Sequence, residues 1–278
     1  MSAATDVQRT VTRIALGGIS EAGFALAGSG AIREHGVIDR PTEDVDLFTT
    51  AQHSDRFAKA VERVIADLRR NGYEVEETRR TAQFARLQVM TSEDCQLDID
   101  MGIDWRENEP VRLEIGPVLS VKDAVGNKVS AMYSRGEPRD YLDVDAIRGW
   151  GRFSDQELLS AAAERDAGFE VGIFALQLEA VRRVTLFDVE RYGVSAAQLD
   201  GVKERCTRWA ALLRGQPGNA GVDPAPLNEP VRSPLSATYP QLATEATRQQ
   251  LGQPPSARHR LSRSRGRESS SPRREEGR

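Results

Sequence analysis

Two short stretches, Leu26-Ala27-Gly28-Ser29 and Thr42-Glu43-Asp44-Val45-Asp46-Leu47-Phe48, carry the strongest structural signal in this chain. In the second stretch acidic residues alternate with apolar ones, which predicts a β-strand with both carboxylates, Asp44 and Asp46, on one face. Two carboxylates held this close repel each other unless a cation lies between them. Mg²⁺ binds in this way, through one or two carboxylates together with substrate phosphates. The stretch therefore predicts a site for Mg²⁺ or, in its place, Mn²⁺.

The first stretch is typical of a turn that approaches a phosphate. Gly28 has no side chain, so the backbone can come close to a triphosphate, and Ser29 can begin a helix whose free N–H groups face the anion. Fourteen residues separate Ser29 from Asp44, enough for one short helix. Each stretch alone would suit an ordinary turn or a solvated strand edge. Together they indicate a metal-dependent site for a nucleoside triphosphate (NTP).

Composition favours a soluble protein. With 278 residues, 39% of them hydrophobic, the chain can form one or two packed domains. No apolar run approaches the roughly 20 residues that span a bilayer, and the N-terminus lacks the pattern of a secretory signal. We therefore expect a cytoplasmic protein without membrane contact. The cysteines, Cys95 and Cys206, and the three histidines form neither a disulfide framework nor a metal-ligand pattern.

Hydrophobic periodicity predicts an α/β (α+β) core with a mixed sheet over residues 1–119. Two helices are expected, over residues 6–18 and 54–70, with a strand at 24–27 that leads into Gly28. Three further strands form a predicted antiparallel set, over residues 73–77, 84–90 and 96–101.

The last predicted strand carries two more carboxylates, Asp98 and Asp100, on the face opposite its apolar residues. Two-metal phosphoryl-transfer sites use acidic groups to hold the metals and to orient or deprotonate the attacking hydroxyl. Asp100 is the first candidate for this third acid and Asp98 the second. Either residue would equally suit the solvated face of an edge strand.

Residues 120–214 predict a helical second lobe. Its helices are expected to begin near Ser120, Pro138, Ser154, residue 170 and Ser195. Lys128 falls on the buried stripe of the first of these helices, where an ammonium is costly unless it meets an anion or snorkels along the apolar surface. We therefore expect Lys128 to meet a substrate phosphate, and its removal to cost activity without lowering stability.

Residues 215–278 are rich in Pro, Ser, Gln and Arg and predict a disordered basic tail. Eight arginines stand against three glutamates in residues 258–278, although the formal charge of the whole chain is −4. Such a segment supplies weak, salt-sensitive attraction to nucleic acid. A tail that merely aids solubility would have the same composition.

Two further motifs indicate which protein family the chain resembles. Residues 123–131 carry Lys128 in a helical pattern, and residues 135–143 contain the sequence Arg139-Asp140-Tyr141-Leu142-Asp143. With the Gly-Ser turn and the Asp-x-Asp strand, this order resembles the AbiEii group of polymerase-beta-like nucleotidyltransferases. These are toxins of bacterial AbiE-type toxin-antitoxin systems and include the mycobacterial MenT enzymes. The resemblance covers about residues 20–214.

The resemblance implies that a nucleoside monophosphate is transferred from an NTP to an RNA, particularly a tRNA 3′ end, with loss of pyrophosphate. It also implies a setting of toxicity or phage defence and a cognate winged-helix antitoxin as a partner. Alternatives with the same fold are a small-molecule or protein acceptor. A catalytically inactive nucleotide-binding regulatory module is a further alternative, which the presence of every motif makes less favourable.

The resemblance assigns roles to the motif residues. The metal ligands are Asp44 and Asp46. The nucleotide-binding residues are Gly28, Ser29, Arg33, Lys128 and Arg139, and the catalytic residues are Asp44, Asp46, Lys128, Asp140 and Asp143, to which the strand pattern described above adds Asp100. Lys128 would neutralise the leaving pyrophosphate, while Asp143, or secondarily Asp140, would fix Lys128 or assist the acceptor hydroxyl.

Two points stay open at the level of sequence. The segment 39–41 lengthens the turn before the Asp-x-Asp strand, so either Arg33 or Arg40 could reach a phosphate. An RNA acceptor also needs a basic surface. The candidates for that surface are Arg69, Arg70, Arg79, Arg80 and Arg86, which would equally form an ordinary solvated face.

Overall fold

The computed structural model describes residues 3–92 and 95–215. The strands are β1 Ala25–Leu26, β2 Asp44–Thr49, β3 Glu74–Arg80, β4 Phe84–Ser92, β5 Cys95–Ile103, β6 Val111–Leu113 and β7 Gly116–Val118. The helices are α1 Ala3–Gly17, α2 Gly28–Glu34, α3 Phe57–Arg70, α4 Val121–Ser134, α5 Pro138–Trp150, α6 Asp155–Ala163, α7 Val171–Glu179, α8 Leu186–Val189 and α9 Ala196–Arg214. The predicted disordered tail lies, beyond Gly215, outside the described residues.

The strands form one mixed sheet in the order β3-β4-β5-β2-β1-β7-β6, as the α/β (α+β) prediction expected. β2 and β5 are parallel neighbours, with Asp44 opposite Asp98 and Asp46 opposite Asp100. Because side chains alternate along a strand, this register places all four carboxylates on one face of the sheet. The apolar residues between them are buried on the other face.

The three predicted antiparallel strands are confirmed as β3, β4 and β5, each a few residues longer than expected. The helix expected from residue 54 starts later, at Phe57, after a 3₁₀ turn over Ala51–Arg56. No side chain caps either element at its start, so the local signal at Ser54 did not fix the boundary. β6 and β7 were not predicted, since three residues are too few to show a period.

The predicted helical lobe is present over residues 120–214. The Ser120 hydroxyl accepts the amide of Asp123 at the start of α4, and Glu137 and Asp140 form a reciprocal capping box before α5. Buried side chains from both halves of the chain form one hydrophobic cluster, and α2 packs directly on α4. The division into two domains at residue 119 stays a prediction. None of the described helices combines the length and apolar character needed to cross a bilayer.

Candidate active site

Gly28, the first residue of α2, lies directly against Asp46 of the Asp-x-Asp strand β2. Its φ is +56°, and a Cβ added there would collide with the carboxylate of Asp46. The amide of Ala27 donates to the carbonyl of Asp46 at 2.8 Å. Glycine is therefore required twice at this position, for its backbone conformation and for the close approach of Asp46.

Asp44, Asp46, Asp98 and Asp100 are called the sheet carboxylates below. Burial and, to a smaller extent, the charges of Asp44 and Asp100 together raise the pKa of Asp46 to about 7. Among the described residues, no group of three or more His, Cys, Asp or Glu side chains is arranged to hold a metal ion. The protein thus offers a pair of mutually repelling carboxylates, Asp44 and Asp46, and the chemistry of that pair fits a divalent cation that is also bound by phosphates.

Asp100, the first choice for the third acid, is buried beside Asp46 and is held by Arg86. The Arg86 guanidinium donates to both carboxylate oxygens, each at 2.7 Å. Burial nevertheless raises the pKa of Asp100 above its ordinary value, against the hydrogen bonds and charge of Arg86. The second choice, Asp98, is half-buried and accepts the Gln96 side-chain amide at 3.3 Å. Neither contact tests a catalytic role.

The opposite side of the site contains five charged groups, Arg40, Lys128, Arg135, Asp140 and Asp143, called the lobe ion cluster below. Lys128 Nζ lies 3.3 Å from Asp140 Oδ1 and 3.0 Å from Asp143 Oδ2. These are the carboxylates expected to fix Lys128, and the ion pairs argue against the expectation that removing Lys128 leaves stability unchanged, which stays a prediction. Helix α5 packs on α4 and supplies both counter-charges, which the helical period of α4 could not reveal.

Ser29 lies at the centre of this cluster. Its hydroxyl donates to Asp143 Oδ2 at 2.9 Å and accepts from Lys128 Nζ at 3.0 Å and from Arg40 Nη2 at 3.0 Å. Gly28, one residue earlier, contacts Asp46. The dipeptide thus lies between the sheet carboxylates and the lobe ion cluster.

The two candidate arginines point to different places. Arg40 donates Nε and Nη2 to the two oxygens of Asp143, at 2.6 and 2.7 Å. Arg33 instead donates to Gln8 Oε1 at 2.8 Å and to Thr42 Oγ1 at 2.9 Å. The structure brings Arg40 to Ser29 and places Arg33 in the support of the turn before β2, so nucleotide binding by Arg33 stays a prediction that this geometry does not favour.

Asp140 and Asp143 are fully buried and strongly paired. Burial alone would raise the pKa of Asp140, but the charges of Arg135 and Lys128 outweigh it and hold the pKa below its ordinary value. Arg135 donates to both Asp140 oxygens, at 2.9 and 3.0 Å. The pKa of Asp143 is lowered in the same way, because Lys128 and Arg40 outweigh its burial.

Arg139 lies between the two groups. Its Nη1 is 3.4 Å from Glu43 Oε2 and 3.5 Å from Asp44 Oδ2, and its Nε is 3.0 Å from Glu137 Oε2. The guanidinium therefore partly neutralises Asp44 in the free protein. A phosphate that arrived with its own cation at Asp44 could take over this arginine.

All five arginines suggested for an RNA surface already have contacts within the protein. Arg86 holds Asp100, Arg70 pairs with Asp67, and Arg80 lies 3.2 Å from Glu77. Arg69 donates to the carbonyl of Val75 at 2.8 Å, and Arg79 lies over the ring of Phe84. An acceptor surface at these positions stays a prediction, and the pairing of these charges weakens it.

Sequence reasoning missed four residues that shape the site. Gln8 Nε2 donates to the Asp44 carbonyl at 2.9 Å and steadies the start of β2. Arg135 pairs with Asp140, while Glu43 receives Arg139 and the Tyr192 hydroxyl, the latter at 3.2 Å. Arg135 and Glu43 stand inside the quoted motifs and could have been found there, but Gln8 and Tyr192 carry no local signal.

Solved structures define the class of fold. A putative nucleotidyltransferase from Helicobacter pylori matches with a TM-score of 0.54 and 16% identity, over 77% of this chain and 96% of that one. JHP933 from Helicobacter pylori gives a TM-score of 0.51 at 16% identity, over 77% and 93% of the two chains. MenT4, a nucleotidyltransferase toxin from Mycobacterium tuberculosis, gives 0.50 at 16% identity, over 76% and 84%. The fold is that of a nucleotidyltransferase.

A sequence profile of the family described as nucleotidyl transferase AbiEii toxin, type IV toxin-antitoxin system, matches residues 18–191. This span contains the sheet carboxylates, Gly28-Ser29 and the lobe ion cluster. The chain therefore belongs to the AbiEii family of nucleotidyltransferase toxins, as its motifs predicted. No curated protein sequence matches it.

Proposed function

We propose that this nucleotidyltransferase moves a nucleoside monophosphate from an NTP to the 3′ end of an RNA, a tRNA above all, and acts in this way as a cytoplasmic toxin. The observation that carries the proposal is the position of Gly28-Ser29. Gly28 contacts Asp46 of the sheet carboxylates, whereas the Ser29 hydroxyl contacts Lys128 and Arg40 of the lobe ion cluster. A triphosphate at this dipeptide would have carboxylates on one side and cations on the other.

Asp44 and Asp46 are the proposed ligands of Mg²⁺ or Mn²⁺. These two residues would hold the ion, which would supply Lewis-acid chemistry to the phosphate under attack. Asp44 is available for this role because Arg139 holds it only at 3.5 Å. The free carboxylate pair is costly without a cation, as the raised pKa of Asp46 indicates.

The lobe ion cluster is the proposed partner of the leaving pyrophosphate. Its three cations and two carboxylates sum to a net charge of +1; the side chains of Arg40, Lys128, Asp140 and Asp143 are largely or fully buried, and that of Arg135 is exposed. A phosphate that displaced the Ser29 hydroxyl from Asp143 would meet Lys128 and Arg40 directly. Such fixed charges stabilise developing negative charge most strongly where water is excluded.

The transfer exchanges a phosphoanhydride bond of the NTP for a phosphoester bond to the acceptor. The acceptor hydroxyl oxygen bonds to the α-phosphorus, the bond between that phosphorus and the α,β-bridging oxygen breaks, and pyrophosphate leaves with the electron pair. Asp100, beside Asp46 on the neighbouring strand, is the proposed acceptor of the hydroxyl proton. Arg86 would hold Asp100 in place during this step.

A labelling experiment tests the proposal. The purified protein is incubated with Mg²⁺, each α-labelled NTP in turn and total bacterial RNA, and we expect the label on a small RNA. Parallel incubations with bacterial protein and with an aminoglycoside should stay unlabelled. Label on protein or on the small molecule, with RNA untouched, would contradict the RNA acceptor while leaving nucleotide transfer intact. No label on any acceptor would contradict the transfer chemistry.

The proposed toxicity has its own test. Expression of the chain should arrest bacterial growth, and the Asp46→Asn variant, produced at the same level, should not. A toxin of this family suggests an antitoxin as its partner. Co-expression of a small winged-helix protein encoded beside the toxin gene should therefore lift the arrest. Growth arrest by the Asp46→Asn variant as well as by the parent would show that toxicity does not come from the proposed chemistry.

A further inference from the structure

Helix α8 exposes an aromatic side chain that the fold does not use. The side chain of Phe187 is 82% exposed and that of Leu186 beside it is 39% exposed, whereas Val189 and Tyr192 are buried. Thr185 and Asp188 form a reciprocal capping box that sets the start of this helix. Since the cap and the buried residues already fix the segment, Phe187 contributes little to its conformation.

The same segment reaches the mouth of the active site. Arg191 follows Phe187 by four residues, across the change from α8 to a 3₁₀ turn over Glu190–Tyr192, and its Nε lies 3.1 Å from Glu43 Oε1. Glu43 immediately precedes Asp44. The Tyr192 ring contacts two arginines, Arg191 at 5.1 Å and Arg40 at 4.9 Å from the ring centre. A ligand on Phe187 would therefore lie next to the entrance used by an NTP at Asp44 and Ser29.

Two exposed arginines precede the exposed ring in the chain, and the acidic residues Asp188 and Glu190 follow it. Arg182 and Arg183 are exposed just before α8, and neither forms an ion pair within residues 3–92 and 95–215, the part of the chain that the structure describes. This contrasts with Arg70, Arg80 and Arg86, whose charges are matched by nearby carboxylates. The charges beside α8 are thus more available to an anionic ligand than those on β3 and β4.

We propose that Leu186 and Phe187, with Arg182, Arg183 and Arg191, form the surface that binds the single-stranded 3′ end of the acceptor RNA. This inference rests on the proposed function and adds the location of acceptor binding. An exposed aromatic ring stacks on any base, and neighbouring arginines attract the phosphates of a strand. The patch formed by Leu186 and Phe187 is too small for a hydrophobic partner protein but suits one or two bases. Of the three arginines, Arg191 is paired with Glu43, whereas Arg182 and Arg183 form no ion pair among the described residues.

The first test measures binding without catalysis. A 5′-labelled single-stranded RNA of twelve nucleotides is titrated with the full chain, and its fluorescence anisotropy is recorded. We expect Phe187→Ala to raise Kd about tenfold, the effect of one lost base stack, and Phe187→Trp to stay within twofold of the parent. Leu212→Ala is the matched control, because that side chain is also exposed, by 56%, but lies at the end of α9. It should bind as the parent does.

The second test separates stacking from charge. The double variant Arg182→Gln, Arg183→Gln should weaken binding at low salt and flatten the dependence of Kd on salt, whereas Phe187→Ala should leave that dependence unchanged. In the transfer assay Phe187→Ala should raise KM for RNA about tenfold and leave KM for the NTP unchanged. Melting temperatures of all variants are measured, and because Phe187 is exposed we expect them to match the parent.

Several results would overturn the inference. RNA binding by Phe187→Ala that equals the parent would do so, as would an equal loss with Leu212→Ala. A loss of protein partner binding with RNA binding intact would assign the surface to a protein. Failure of the proposed function looks different: the parent would then bind the twelve-nucleotide RNA through Phe187 but transfer the label only to protein or to a small molecule.

Discussion

Two groups of aspartates lie on either side of Gly28-Ser29, and the protein treats their charges in opposite ways. Burial and neighbouring carboxylates raise the pKa of Asp46 to about 7. Asp140 is at least as buried, yet Arg135 and Lys128 hold its pKa below the ordinary value. Asp46 forms no ion pair among the described residues and Asp44 meets Arg139 only at 3.5 Å, whereas the lobe ion cluster has a slight excess of positive charge.

This difference separates residues that await a ligand from residues that already have partners. A carboxylate pair without a cation destabilises the free protein and gains when a metal binds. A buried, hydrogen-bonded ion pair, in contrast, is part of the folded structure, and removing one member leaves an uncompensated charge. Mutations in the two groups should therefore change activity and stability in different proportions.

The largest effect should follow Asp46→Asn. The substitution keeps the shape of the side chain and removes a proposed metal ligand, so we expect transfer to fall at least about a thousandfold, which corresponds to several kcal/mol of transition-state stabilisation. Thermal stability should stay equal or rise, because the repulsion between Asp44 and Asp46 is relieved. Single-turnover kinetics and a melting curve measure both. A folded variant within tenfold of the parent would contradict the metal assignment.

Asp140→Asn should instead lower stability more than activity. The free energy of unfolding should fall by about 3–5 kcal/mol, because Arg135 and Lys128 lose their shared, buried counter-charge. Urea denaturation followed by circular dichroism measures this loss. Asp98→Asn is the control, since Asp98 is half-buried and accepts a single 3.3 Å hydrogen bond from Gln96, and it should change stability by less than about 1 kcal/mol. Similar losses of stability in Asp140→Asn and Asp98→Asn would show that the ion pairs of the lobe ion cluster do not stabilise the fold more than an ordinary surface contact does.

Lys128→Met should combine the two effects. Transfer is expected to fall about a hundredfold, the cost of losing one fixed positive group at a developing negative charge. Stability should fall by only about 1–3 kcal/mol, because Arg135 and Arg40 still pair with Asp140 and Asp143. Lys128→Arg serves as the comparison and should retain more stability than activity, since the larger guanidinium displaces the Ser29 contact. Unchanged stability in Lys128→Met would mean that its ion pairs contribute nothing net.

The smallest effect concerns pH. The pKa values of Asp140 and Asp143 are lower in the folded protein than in the unfolded chain, where an aspartate titrates near about 3.9. Their stabilisation is therefore present above that pH and is lost as the pH falls through the folded-state values. Each group contributes a slope of at most about 1.4 kcal/mol per pH unit. Between pH 5 and pH 3 the parent should lose stability faster than Asp140→Asn, and parallel curves would contradict the lowered pKa of Asp140.

Local sequence was sufficient for the carboxylate face. The alternation in residues 44–48 and 97–101 predicted two strands with their acids on one face, and the structure confirms both strands and aligns Asp46 with Asp100. The Gly-Ser turn was predicted for the same reason, because a close backbone approach and a positive φ select glycine at a single position. These features depend on the geometry of a few consecutive residues, which a sequence displays directly.

What the sequence by itself determined is thus the set of chemical groups, the faces on which they lie and the family to which the chain belongs. Only the tertiary structure decided how they pair: Arg40 rather than Arg33 reaches Asp143, and Lys128 is neutralised in the free protein. Arg40 and Asp143 lie 103 residues apart, and Ser29 and Lys128 lie 99 apart. A helical or strand period fixes the direction of a side chain within its own element, but its partner depends on which elements pack together.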